Sequence, residues 1–137
     1  MQLPIKNLET SKNLLKTQDS ILNTYSKGQI KNAYLFVGPC LIGKSELAMS
    51  IAQKIVDKSV WDLDILCLDA EYAKVGIKDL RELQSNLNRS AHGNKKICVL
   101  RAVENLSVSA INSLLKILED TPENVVFFLT CNNMDKL

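Results

Sequence analysis

The chain has 137 residues, 46% hydrophobic and 23% charged, a balance that fits one domain with a real core and excludes disorder as the default. No apolar run approaches the roughly 20 residues of a membrane span, and residues 1–6 lack the basic stretch and apolar run of a secretory signal. A net charge of +2 neither requires nor excludes a nucleic-acid partner.

Residues 1–10 carry no period and are expected to form a leading loop. From Ser11 to Lys27, Leu14, Leu15, Ile21, Leu22 and Tyr25 recur at helical spacing, with Gly28 as a stop. Residues 33–37 form a continuous apolar run that reads as a buried strand. A second helix is expected over 44–58 on the stripe Leu47, Ala48, Ile51, Ala52 and Ile55. Residues 63–68 read as a strand closed by Asp69-Ala70-Glu71. Ile77, Leu80, Leu83 and Leu87 mark a third helix that stops near His92-Gly93-Asn94. Residues 97–100 give a third strand. Ser107 is an expected N-cap for a helix carrying Val108, Ile111, Leu114, Leu115 and Leu118, ended by Thr121-Pro122. Residues 125–130 form the fourth strand.

Strands alternating with helices of this length predict an α/β fold with a parallel sheet covered on both faces. One domain spanning 1–137 is expected, with a loop and helix over 1–32 and a core over 33–137. Four cysteines, Cys40, Cys67, Cys98 and Cys131, form no C-x-x-C pair, and the single His92 has no cysteine close by. No zinc site or disulfide framework is expected, and the thiols read as small buried hydrophobes in a reduced cytoplasm. Trp61 is expected to cover a core edge, and His92 to serve a loop. Lys74, Lys78, Arg81, Arg89, Lys95 and Lys96 read as a solvated charged face.

Gly38-Pro39-Cys40-Leu41-Ile42-Gly43-Lys44-Ser45 fits G-x-x-x-x-G-K-[ST], preceded by a strand and followed by a helix. Such a loop turns backbone N–H groups around phosphate oxygens, and the helix N-terminus adds partial positive charge. Gly38, Pro39, Gly43, Lys44 and Ser45 are the candidate nucleotide-binding residues. Lys44 would reach the β- and γ-phosphates, and the Ser45 hydroxyl would hold Mg²⁺. Hydrolysis also needs carboxylates at the end of a neighbouring strand. Two strands compete: one runs into Asp69-Ala70-Glu71, the other into Arg101-Ala102-Val103-Glu104.

The run from Ser107 to Pro122, Ser-Val-Ser-Ala-Ile-Asn-Ser-Leu-Leu-Lys-Ile-Leu-Glu-Asp-Thr-Pro, resembles the S-x-x-A-x-N-x-L-L-K-x-L-E-[ED]-x-P helix of bacterial DNA polymerase III clamp-loader subunits. These are a branch of the AAA+ ATPases. Asn32-Ala33-Tyr34-Leu35-Phe36 is similar to the family's H-A-Y-L-F strand, and Ile77-Lys78-Asp79-Leu80-Arg81-Glu82-Leu83 to its I-x-x-[IL]-R-E-L helix. Within the family the chain most resembles the delta-prime type. The resemblance implies a three-layer P-loop AAA+ sandwich with sheet order 5-1-4-3-2, of which four strands are present. It also implies an N-terminal fragment ending before the lid and collar domains. With the fifth strand missing, residues 33–37 would become an exposed edge and invite self-association.

The same resemblance makes residues 97–100 the Walker B strand and Arg101, Ala102 and Glu104 a degenerate Walker B region, since acidic residues usually stand at the first two positions. A guanidinium cannot ligate Mg²⁺ and repels it. Leu41 stands where many relatives have glycine, Asn132 falls at the sensor-1 position, and Ser107 and Ser109 fall where related subunits approach the DNA backbone. The family's four-cysteine zinc module is missing from residues 53–64. The implied role is assembly: a subunit of the DNA polymerase III holoenzyme, a DNA-directed DNA polymerase complex in the cytoplasm, partnered by delta and tau/gamma subunits and acting with the sliding clamp and primed DNA. Its own ATP hydrolysis is not expected, and ATP binding is expected to be weak and independent of Mg²⁺. The alternatives are an active P-loop ATPase or small-molecule kinase using Asp69 and Glu71, and a degenerate tau/gamma subunit.

Overall fold

In a computed structural model, which describes residues 3–137, five parallel strands form one sheet. They are β1 (Ile5–Asn7), β2 (Ala33–Val37), β3 (Ile65–Asp69), β4 (Lys96–Arg101) and β5 (Val125–Cys131), in the order β1-β2-β5-β4-β3. Helices α1 (Ser11–Ser26), α2 (Lys44–Ile55), α4 (Ile77–Leu87) and α5 (Val108–Asp120) link them, with a single turn α3 (Trp61–Asp64) leading into β3. Among the described residues no helix is long and apolar enough to cross a membrane.

Strand pleating explains the layers, because alternate side chains take opposite faces. Tyr34, Phe36, Ile97, Val99, Val126 and Phe128 meet Leu47, Ala48 and Ile51 of α2 and Ile21 of α1. Leu35, Cys98, Leu100, Phe127 and Leu129 meet Leu80, Leu83 and Leu87 of α4 and Leu114 and Leu118 of α5. The Phe128 ring stacks between Tyr34 and Phe36, at centroid separations of 5.8 and 5.6 Å. Caps set the helix starts. Thr10 Oγ1 accepts the Asn13 N–H at 3.3 Å, and Ser107 Oγ accepts the Ala110 N–H at 3.1 Å.

The order of the four longer strands agrees with the sequence reading, but the expected edge does not. Residues 5–7 are a strand rather than part of a leading loop, so the sheet has five strands instead of four. β1 pairs with β2 in the register Ile5↔Leu35, Lys6↔Phe36 and Asn7↔Val37. Leu35 donates to the Pro4 carbonyl at 2.9 Å and Leu8 to the Val37 carbonyl at 2.6 Å. Leu8 is fully buried in the α1–α2 layer. The strand was invisible because three residues are too few to show alternation; backbone pairing and one leucine anchor hold it. With β2 covered, the expected self-association through residues 33–37 loses its basis.

Other differences are local. Helix α2 ends at Ile55, where Val56 turns extended. The third strand begins at Ile65 because Trp61–Asp64 are helical. Trp61 packs against the α1–α2 layer as expected, its indole N–H donating to the Val56 carbonyl at 2.7 Å. Cys98 and Cys131 are buried, but Cys67 and Cys40 are exposed: one lies on an edge strand, the other on a loop. Burial pushes the Cys98 thiol well up. Lys96 does not join the charged face. It is buried, and its ammonium donates to the Asn86 carbonyl and side chain.

A second polar clasp holds the amino ends of β3 and β4. Asp64 is fully buried and accepts from the His92 N–H at 2.9 Å and the Gly93 N–H at 2.6 Å. The His92 ring Nδ1 lies 3.3 Å away. Burial works to raise the Asp64 carboxyl, but the two N–H groups and the His92 ring outweigh it and hold it below the usual range. A carboxyl depressed on folding adds stability above its unfolded pKa of about 4 and loses it as pH falls through the folded value. Asp64→Asn should therefore cost about 2 kcal/mol at neutral pH, and the gap between variant and parent should shrink below about pH 4. Urea unfolding at several pH values measures both.

Gly38 offers a sharper test. A Cβ built there would lie 2.1 Å from the Leu8 carbonyl oxygen, backbone that β1 pairing fixes. Gly38→Ala should cost at least about 3 kcal/mol. Gly28→Ala, whose Cβ would meet nothing within 4 Å but sits at φ +71°, should cost only about 1–2 kcal/mol. Denaturant titration of both variants gives the comparison.

Candidate phosphate-loop site

The loop leaves β2 at the carboxyl end of the sheet, where ligands bind in open α/β folds. Gly43 takes φ +107° and Leu41 φ +67°, so two of the eight loop residues occupy the left-handed region. Glycine does so freely; a leucine pays roughly 1–2 kcal/mol. The Leu41 side chain stands 90% exposed at the loop tip. Lys44 is buried, and its ammonium turns back on the loop, donating to the Gly38 carbonyl at 2.8 Å and the Pro39 carbonyl at 2.6 Å. Burial lowers its pKa, against the pull of Cys40, Glu71 and Glu104.

The facing wall comes from β3, β4 and β5. Register sets Asp69 directly beside Arg101. The Arg101 guanidinium donates from Nη1 to Asp69 Oδ2 at 2.9 Å and from Nη2 to Glu71 Oε2 at 2.8 Å. The Tyr72 ring covers it, with the guanidinium carbon 5.4 Å from the centroid. Asp69 Oδ1 accepts the Glu71 N–H at 2.9 Å, which holds the turn after β3. Glu71 is the meeting point: its Oε1 accepts from the Cys40 thiol at 3.4 Å and lies 3.5 Å from Asn132 Nδ2. The carboxylate thus spans from Arg101 to the phosphate loop.

Glu104 Oε2 accepts the Asn132 N–H at 2.8 Å, and Thr130 Oγ1 accepts the Ala102 N–H at 3.0 Å. Ala102 is held in the left-handed region at φ +56°. Among the described residues, two buried side-chain atoms in this wall have no hydrogen-bond partner: Arg101 Nε and Glu104 Oε1. Backbone strain and unpaired polar atoms concentrate in this cleft, as they do at functional sites.

The cleft is lined by Gly43, Lys44, Ser45, Glu71, Arg101 and Asn132, and its free volume is about 30 Å³. Two basic side chains, Lys44 and Arg101, face three acidic ones, Asp69, Glu71 and Glu104. The arrangement disfavours Mg²⁺, because the guanidinium holds one oxygen each of Asp69 and Glu71 and sets a permanent positive charge between them.

Gly38, Pro39, Gly43, Lys44 and Ser45 therefore come together on one side, and Arg101, Ala102, Glu104 and Asn132 on the other. Ser107 and Ser109 are exposed at the start of α5, and Ser107 caps it. Asp69 and Glu71 do not sit on a strand next to the loop, since both β5 and β4 intervene between β2 and β3. That adjacency would have favoured the kinase-like reading, and the strand order gives it no support. The sequence weighed Asp69, Glu71 and Arg101 separately and missed their pairing. The available signal was an arginine at an acidic position beside a strand that ends in two acids.

Relieving the loop strain gives a direct measurement. Leu41→Gly removes the Cβ penalty but adds chain entropy to the unfolded state. The net expected gain is up to about 1 kcal/mol, read from the shift in denaturation midpoint.

Residues 57–137 match the family described as DNA polymerase III, delta subunit. The chain is 30% identical to the DNA polymerase III subunit tau of Escherichia coli, over 86% of its own length and 21% of that protein. It is 29% identical to the gamma/tau subunit of Mycoplasma genitalium, over 85% of its length and 23% of that protein. The chain spans about a fifth of the length of these curated relatives. Among solved structures, a gamma-subunit-related protein of DNA polymerase III from Thermotoga maritima superimposes with a TM-score of 0.69 at 25% identity, over 90% of this chain and 40% of that one. The clamp loader delta protein of Bacillus subtilis gives 0.59 at 15% identity, over 86% and 37%, a likeness of fold.

Proposed function

The chain belongs to the DNA polymerase III delta subunit family, and from that premise we propose that it is the AAA+ core of a clamp-loader subunit of the delta-prime type, serving assembly rather than hydrolysis. Its partners in this reading are delta and tau/gamma subunits, with the sliding clamp and primed DNA engaged through the complex in the cytoplasm. In this reading Ser107 and Ser109, exposed at the head of α5, would contact the DNA backbone.

Arg101 carries this reading. It stands in the metal position and holds Asp69 and Glu71 at 2.9 and 2.8 Å. Its permanent charge repels a divalent cation, by about 8 kcal/mol at ~4 Å in a medium of effective dielectric 20. Lys44 and the loop amides remain able to attract phosphate, but an incoming anion must displace Glu71. ATP binding is accordingly weak and indifferent to Mg²⁺. Loss of one preorganised charge-stabilising group lowers a rate by ~10²–10³, and here the metal ligands are lost too. A degenerate tau/gamma subunit is the second reading, favoured by the gamma and tau names of the curated relatives.

Calorimetric titration with ATP should give the same affinity with Mg²⁺ as with chelator. A strong Mg²⁺ requirement would overturn the placement of Arg101 in the metal site. The double variant Arg101→Asp with Ala102→Glu should create a Mg²⁺ preference of about tenfold or more, equivalent to ~1.4 kcal/mol.

A further inference from the structure

The two edges of the sheet are built differently. β1 is only three residues long, and very short edge strands resist pairing with other chains. β3, at the opposite edge, has no such protection. Ile65-Leu66-Cys67-Leu68-Asp69 runs five residues without proline, lysine or bulge, in unbroken register with β4. On an edge strand the N–H and C=O groups of alternate residues face outward, unpaired.

A groove runs along this edge, between β3 and α4, with a volume of about 220 Å³. Leu66, Leu68 and Leu83 give it an apolar floor, the Cys67 segment forms its open side, and Asp79 and Glu82 form its wall. Among the described residues no lysine or arginine lines it. The charge split on α4 follows from helical spacing: positions 79, 82 and 86 face the groove, whereas Ile77, Arg81 and Gln84 turn toward α5. Asp79 Oδ2 accepts the Gly76 N–H at 2.8 Å and is committed to that cap. Glu82 makes no hydrogen bond or ion pair within the described chain.

We propose that the β3 edge is a docking site for an extended protein segment that presents apolar residues and a lysine or arginine on its groove-facing side, at every second position, adding a sixth strand to the sheet. Main-chain bonding to β3 would supply affinity, and the alternating side chains would supply specificity. Apolar side chains would enter the floor of Leu66, Leu68 and Leu83, and a basic side chain would meet Glu82. A second copy of this chain is disfavoured as the occupant, because β3 against β3 would bring two acidic walls together.

The test uses a synthetic peptide of about ten residues whose groove-facing alternate positions carry valine with one central lysine and whose other positions carry threonine, with a peptide bearing glutamate in place of that lysine as its counterpart. Fluorescence anisotropy measures affinity, and hydrogen exchange locates the protection. The lysine peptide should bind and slow exchange at β3 amides, leaving β1 unaffected. Glu82→Lys, a change at an exposed position, should weaken the lysine peptide about tenfold and strengthen the glutamate peptide. Equal affinity of the two peptides for the parent chain would overturn the proposal, as would protection outside β3. Concentration-dependent dimers with protected β3 and no peptide binding would also overturn it, by assigning the edge to a second copy.

Discussion

Everything at the carboxyl end of the sheet depends on β4 lying between β3 and β5 in parallel register. That placement sets Arg101 beside Asp69 and lets Glu71, two residues beyond the strand, close on the same guanidinium. Parallel pairing fixes strand ends against each other, so a residue one position past a strand inherits its neighbours from the register. Arg101 therefore meets two carboxylates that the chain places about thirty residues earlier. The ion pair in turn positions Glu71 against Cys40 and Asn132, on the wall that faces Lys44 across the cleft.

The phosphate loop is constrained from its other flank by β1. Leu8 passes so close to Gly38 that a single added carbon would overlap its carbonyl oxygen. The first glycine of the loop is thus required by packing against the amino-terminal strand, in addition to any role toward phosphate. Leu41 shows the opposite relation. Its backbone keeps the left-handed conformation that suits glycine, although the side chain makes no use of it and stands in solvent. The loop geometry is maintained while the residue that would ease it is absent.

The acidic wall of α4 and the basic residues toward α5 have the same origin as the layers of the fold. A helix laid on a sheet presents one stripe to the core, and the residues flanking that stripe face two different neighbours. For α4 one flank looks over the open edge of β3 and the other toward α5. The sheet edge and the helix charge pattern therefore cannot be read apart from each other.

The sequence by itself determined the α/β class, the four longer strands, the main helices, the Ser107 cap and the phosphate-loop motif. These are local signals: continuous apolar runs, a 3.6-residue stripe, a capping serine and a fixed spacing of glycines. It also marked Arg101 as incompatible with a metal, because a guanidinium is always charged. Only the tertiary structure decided the rest. β1 is too short to carry a period and exists because β2 offers it an edge and the α1–α2 layer a pocket for Leu8. Lys96, drawn from sequence as solvated, is buried because Asn86 across α4 can accept from it. Cys67, drawn as buried, is exposed because its strand is last in the sheet. Asp69, Glu71 and Arg101 form one cluster because strand order and register bring distant residues together, and no local pattern in the chain encodes that order.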